Sequence, residues 1–362
     1  VSTSIRLPIP RDTADALARR SRQWWEPLSR HEAVAAWVEL ATRTQSVLVA
    51  TADKPQRLAA RLTGGRTTAE RRVREEEEAR RQRSSESRAR PVAESSPAGR
   101  RPRVHWDEGG DGGPLLLLNG WTAGGSVWPT AWLRDLERSF RVIRMDTRGS
   151  GLSRTAPAPF TMSDLADDAA AVLRSAGAER AGVLGLSMGG MIAQELALRH
   201  PALVGELFLV ATRPPTPAQI PGSPELTERS FDRPPPGESV QQFLRSRWAA
   251  HAAPGFAERE PALLDELVEQ LGERRTPRAG VVNQALAVLG WHGPRRLASL
   301  RVPTTVVHGE VDPLTPVGNG MRLARLIPGA RYVEIPEVGH LVPLEAGDVL
   351  ADLVRGSVPG AP

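Results

Sequence analysis

The chain contains no cysteine, so disulfide bridges, thiolate nucleophiles and cysteine-ligated zinc are excluded. It also lacks any apolar run near the roughly 18 residues that a membrane-spanning helix needs. The start, Val1-Ser2-Thr3-Ser4-Ile5-Arg6, has none of the apolar character of a signal peptide, and a soluble, cytoplasmic protein is the default expectation. Lysine is almost missing: Lys54 is the only one, and arginine makes up the rest of the 47 basic residues. Such a bias reflects genomic base composition more than function.

Negative charge is scarce in the first part of the chain. Residues 1–103 hold 22 basic and 13 acidic side chains, an excess of nine, whereas the remainder is net acidic. The charges of this basic part alternate in sign and aromatics are few, which argues against nucleic-acid binding. Three regions follow from composition. Residues 1–65 are expected to be a helical extension, because Val34, Trp37, Val38 and Ala41 recur at helical spacing. This extension either packs on the rest of the protein or docks a protein partner. Residues 66–103 form a charged linker, helical in part where Glu70/Arg74, Glu76/Arg80 and Glu77/Arg81 pair at i,i+4. From Ser84 to Arg101 it is rich in Ser, Pro, Arg and Glu, and disorder is expected.

From residue 104 to 358, strand-like and helix-like runs alternate, as in a mostly parallel doubly wound α/β sheet. Gly185-Leu186-Ser187-Met188-Gly189-Gly190 stands between the apolar run Ala181–Leu184 and the helix-like run Met191–Leu198. A serine on a sharp strand-to-helix turn is pushed outward, and the following helix aims its first N–H groups at negative charge developing beside it. An activated serine needs a base, and the base needs an acid to hold its tautomer. Asp312 follows the β-branched run Pro303–Val307, and His340 follows the run Ala330–Ile335. Both therefore fall beyond strand carboxyl ends, where open α/β sheets place their sites. Asp146 and Glu206 are rival acids. His308 lies inside a strand run and reads as a packed histidine supporting the loop.

Pro114–Leu118 is a buried-strand signal that breaks at Asn119-Gly120-Trp121-Thr122. A tetrahedral oxyanion needs two backbone donors. Met188 N–H, just after the nucleophile, is one, and Trp121 N–H is the natural second.

Ser187, Asp312 and His340, in that chain order, make residues 104–358 resemble the α/β-hydrolase superfamily. Asp146-Thr147-Arg148-Gly149-Ser150-Gly151-Leu152-Ser153 matches a further family segment, in which the Asp and Arg organise a loop. The family commonly has His-Gly where this chain has Asn119-Gly120. Within the superfamily the chain is similar to the aclacinomycin methylesterase group and, more distantly, to 3-oxoadipate enol-lactonases. The resemblance implies an α/β-hydrolase fold, with a helical cap inserted over residues 213–298. It also implies hydrolysis of a small hydrophobic methyl ester or lactone through an acyl-enzyme, with no metal or organic cofactor.

Glu260–Leu271 and Arg278–Leu289 read as cap helices, and Met162–Leu173 reads as a helix with Ser163 as its N-cap. Trp248 and Trp291 are the candidate pocket residues. The same triad also serves thioesterases, C–C hydrolases and cofactor-free perhydrolases, and the fold can act as a non-catalytic ligand receptor.

Overall fold

The computed structural model describes residues 104–154 and 159–357. The helical extension (1–65) and linker (66–103) expected from the sequence lie outside them. The elements run, in order, β1 (Trp106–Gly109), β2 (Gly113–Leu118), α1 (Thr130–Glu137), β3 (Phe140–Met145), α2 (Met162–Ser175), β4 (Ala181–Leu186), α3 (Met188–Arg199) and β5 (Val204–Val210). An insertion follows, carrying α4 (Pro224–Arg229), α5 (Val240–Ala249), α6 (Phe256–Arg259), α7 (Pro261–Glu273) and α8 (Arg278–Leu289). The chain then returns to the sheet as β6 (Thr304–Gly309), α9 (Gly318–Leu326), β7 (Arg331–Ile335), α10 (Val342–Glu345) and α11 (Gly347–Arg355).

One seven-stranded sheet has the order β1-β3-β2-β4-β5-β6-β7. Only β1 is antiparallel to its neighbour. The unbroken apolar run of β2 is explained by burial on both faces. Leu116 and Leu118 pack with Leu165 of α2 and Ile192 of α3 on one side. Leu115 and Leu117 pack with Trp132 and Leu136 of α1 and Leu350 of α11 on the other. Because β3 lies to one side of β2 and β4 to the other, strand order reverses between β2 and β4. The loops leaving those two strands therefore flank a crevice at the sheet's carboxyl edge.

One local expectation is corrected. The N-cap of α2 is Thr161, not Ser163: Thr161 Oγ1 accepts from Asp164 N, and the Asp164 carboxylate accepts the Thr161 N–H. The Thr-x-x-Asp pattern satisfies two helix-end donors reciprocally, while Ser163 donates to Glu195 instead. Among the described residues, no helix is long and apolar enough to cross a membrane.

Candidate active site

Ser187 occupies the single residue between β4 and α3, at φ 56°, ψ −117°. A non-glycine residue there is strained, and the surroundings enforce the conformation. Ser187 N donates to Val210 O, and Thr212 Oγ1 donates to Ser187 O at 2.6 Å. Gly189 is obligatory at this elbow, because a Cβ on it would lie 1.9 Å from Leu118 O. The Ser187 hydroxyl has no hydrogen-bond partner among the described residues.

Asp312 and His340 stand on the loops after β6 and β7, and they meet. His340 Nδ1 lies 2.7 Å from Asp312 Oδ2, with both side chains buried. The other Asp312 oxygen accepts from Leu314 N and Thr315 N at 2.9 and 2.7 Å. Burial by itself would raise this carboxyl, but the facing His340 and His308 imidazoles outweigh it and hold Asp312 below the ordinary carboxylate range. An ionised carboxylate can only accept. In the neutral ring the His340 proton therefore sits on Nδ1, leaving Nε2 bare. His308 is fully buried, with Nε2 2.8 Å from Thr315 O and 3.5 Å from Asp312 Oδ2, which braces the acid loop.

The rival acids are engaged elsewhere. Asp146 accepts from Gly125 N and Leu152 N, and Glu206 lies within β5, its carboxyl pushed up by burial.

On the β2 side, Gly120 adjoins the serine: a Cβ built on it would stand 3.8 Å from Ser187 Oγ. Met188 opens α3, where the first N–H groups have no partner within the helix. Trp121 is the next residue after Gly120, and its indole N–H donates to Val281 O at 3.0 Å. Of the two candidate pocket tryptophans, Trp248 lines a cavity together with Thr122. Trp291 does not line it. It packs into the core on the α3 side of the sheet, its indole Nε1 3.4 Å from a Glu195 oxygen.

A second imidazole touches the site. His251, buried in the insertion, accepts from His340 N at 2.9 Å through its carbonyl, and the two rings lie 6.3 Å apart, edge to face. Its Nε2 is buried without a partner. Burial first, then the neighbouring His340 and Arg247, pushes His251 down to about 3. Below the ordinary histidine value near 6.5 the unfolded chain binds this proton and the native protein does not. Stability therefore falls as pH drops from 6.5 toward 3. Denaturant unfolding of a His251→Gln variant should show a flatter dependence than wild type between pH 6.5 and 4.5.

Residues 113–347 match the family model described as alpha/beta hydrolase fold. The chain belongs to the α/β-hydrolase family. Rhodomycin D methylesterase of Streptomyces peucetius is 29% identical to this α/β hydrolase, over 68% of this chain and 92% of that protein. Poly(3-hydroxyalkanoate) depolymerase of Ectopseudomonas oleovorans is 30% identical, over 67% and 82%. Among solved structures, the enol-lactonase from Burkholderia xenovorans LB400 superposes with a TM-score of 0.59 at 27% identity, covering 69% of this chain and 94% of that one.

Three bracing roles in this α/β hydrolase were not read from sequence, where Asn119 stood out only as a departure from the family pattern and Glu345 and Gln284 carried no signal. Asn119, which stands where the family commonly has histidine, folds the loop after β2 around its own amide. Its Nδ2 donates to Gly124 O and Val127 O, and its Oδ1 accepts from Gly120 N. Glu345 accepts from Gly339 N and Leu341 N on either side of His340, and from Ala253 N of the insertion. Gln284 of α8, fully buried, accepts from Thr122 N at 3.0 Å and donates to Arg148 O at 2.9 Å. Thr122 itself has φ 68°, so the insertion clamps a strained turn one residue beyond Trp121. The same helix meets the Arg148 loop backbone to backbone, since a Cβ on Gly280 would lie 2.0 Å from Gly149 O.

Proposed function

We propose that this α/β hydrolase is a serine hydrolase of carboxylic esters, cleaving a methyl ester or lactone-like bond in a hydrophobic small molecule. The observation that carries this reading is the 2.7 Å His340–Asp312 hydrogen bond on loops at the same sheet edge as the strained Ser187. The names of the methylesterase and enol-lactonase relatives support ester and lactone substrates. The insertion between β5 and β6 serves as the cap.

His340 Nε2 takes the Ser187 proton as Oγ attacks the substrate carbonyl carbon. The carbonyl electrons move to oxygen, where the Met188 and Trp121 amides receive the charge, each such donor being worth about 3 kcal/mol. The carbonyl re-forms, the ester C–O bond breaks, and the leaving alkoxide takes the His340 proton. Water then repeats the sequence on the acyl-enzyme: His340 removes a water proton, hydroxide attacks, and Ser187 Oγ leaves with that proton. The serine–imidazole hydrogen bond absent from the structure is the contact that in free enzymes is commonly loose and tightens on substrate.

The test is a fluorophosphonate label, expected on Ser187 alone, combined with turnover of ester, thioester and carbon–carbon substrates. Faster cleavage of thioesters or C–C bonds than of oxygen esters would move the protein to a different reaction. Absence of label would remove the serine mechanism.

The Gln284 clamp yields a further expectation. In Gln284→Leu, a buried N–H and a buried carbonyl lose their partner at about 1–3 kcal/mol, and the loss falls on the loop that carries the Trp121 amide. Steady-state kinetics should show kcat lowered roughly 10- to 100-fold with KM little changed. A change confined to KM would mean that the clamp does not shape the oxyanion site.

A further inference from the structure

Residues of the insertion and of the loop after β2 line an open-mouthed cavity of about 150 Å³, room for several heavy atoms where one water takes about 30 Å³. Its walls carry four guanidinium groups, from Arg233, Arg247, Arg275 and Arg278, and one carboxylate, from Asp232. Arg233, Arg275 and Arg278 are exposed at the rim. Arg247, half-buried, reaches from α5 toward the loop after β2. One of its Nη atoms donates to Thr122 Oγ1 at 3.2 Å, while its Nε is buried with no acceptor.

Several arginines of restricted exposure hold carboxylates, Arg148 with Asp168, Arg144 with Asp107 and Arg355 with Asp135, whereas Arg213 makes no ion pair among the described residues and burial likewise lowers it to about 10. Arg247 makes no ion pair among the described residues. Burial lowers it to about 10, with Asp232 opposing and Arg275 and Arg229 adding to the effect. It is therefore charged at neutral pH and partly desolvated, with the Asp232 carboxylate of the same cavity favouring its charge without an ion-pair contact. A buried cation without a counter-ion is costly unless a ligand supplies one, and a rim of like charge draws anions inward.

The position relates this cavity to the chemistry. Neither Ser187 nor His340 lines it, but Thr122 does. Thr122 is two residues from Gly120, which adjoins Ser187. At 3.3–3.6 Å per residue, the cavity edge lies within about 12 Å of the nucleophile, a distance that a short carbon chain spans. We propose that Arg247 and the cavity around it bind a free carboxylate on the acyl part of the substrate, so that the enzyme selects half-esters of dicarboxylic acids. The inference rests on the ester-hydrolase reading, in which a small leaving alcohol leaves recognition to the acyl half. Guanidinium favours carboxylate through paired, charge-assisted N–H donors, and Phe231 and Trp248 supply an apolar wall for the intervening methylenes.

The experiment uses the full chain and the monomethyl and dimethyl esters of glutaric through suberic acid, with methanol release as readout. Wild type should prefer at least one half-ester over its diester by about tenfold or more in kcat/KM, mainly through KM. Arg247→Met should erase that preference. Arg247→Lys should retain part of it, and Arg245→Met, on the same helix but paired with Asp265, should leave it intact. Taking the ratio of charged to neutral substrate cancels any general damage through Thr122. The free dicarboxylate of the preferred length should inhibit competitively. Equal rates on half-ester and diester, or a preference that survives Arg247→Met, would overturn the proposal while leaving the ester hydrolase standing. Activation of diester cleavage by free dicarboxylate would also overturn it, by making the anion an effector. No cleavage of any ester, together with no fluorophosphonate label, would instead remove the underlying reading and this inference with it.

Discussion

Ser187→Ala should lower ester turnover by roughly 10⁵-fold or more, the scale at which a serine triad fails when its nucleophile is removed. Fluorophosphonate labelling should vanish with it. Folding should survive, because the hydroxyl makes no hydrogen bond among the described residues and the elbow is held by backbone contacts and by Thr212. A second substitution separates the backbone from the chemistry. At φ 56° a glycine relieves strain that serine and alanine both carry. Ser187→Gly should thus be as inactive as Ser187→Ala yet more stable, by about 1 kcal/mol in denaturant unfolding. An active Ser187→Ala enzyme would exclude acyl transfer to this residue.

Asp312→Asn is expected to reduce kcat about 10⁴-fold with little loss of fold. The geometry specifies why. One Asp312 oxygen is committed to two backbone N–H groups, a role that an amide oxygen keeps. The Asn NH₂ then has to face His340 Nδ1, where the carboxylate stood. A donor at that position forces the imidazole to carry its proton on Nε2, the atom that must be bare to accept the serine proton. The stability of the variant should also respond differently to acid. Asp312 is held below its unfolded value, so its contribution is complete above about pH 4 and is lost as pH falls further. Denaturant unfolding of the variant should lack that component. Activity within tenfold of wild type would transfer the orienting role to another group.

These effects concern residues whose positions at strand ends were legible in sequence, and whose order along the chain, more than any one of them, proposed a triad. Ser187, Asp312 and His340 each sit in a short stretch in which strand, turn and helix signals are adjacent in sequence, so local reading reaches them. The doubly wound sheet was legible for the same reason: Leu115–Leu118 and Pro303–Val307 declare strands buried on both faces. Residues whose meaning comes from a distant partner were not legible. Gln284 acts on Thr122 across 162 positions, and Glu345 reaches Ala253 across 92. Neither a glutamine nor a glutamate on a helix gives a local sign of such a role. Trp291 follows the same logic in reverse. Its place at the end of the insertion suggested a pocket, but the indole had Glu195 of α3 to meet, 96 residues away. Thr161 differs, because the Thr-x-x-Asp signal was present and a nearer serine was preferred to it.

The contact between Gly149 and Gly280 limits how this enzyme can change. Two peptide backbones touch there with no space for a methyl group, so α8 is seated like a foundation stone and cannot be shifted by swapping side chains at the seam. Change in the chamber is left to the side chains that line it away from that seam, such as Phe243 and Arg247 of α5, while the bed on which it rests stays fixed.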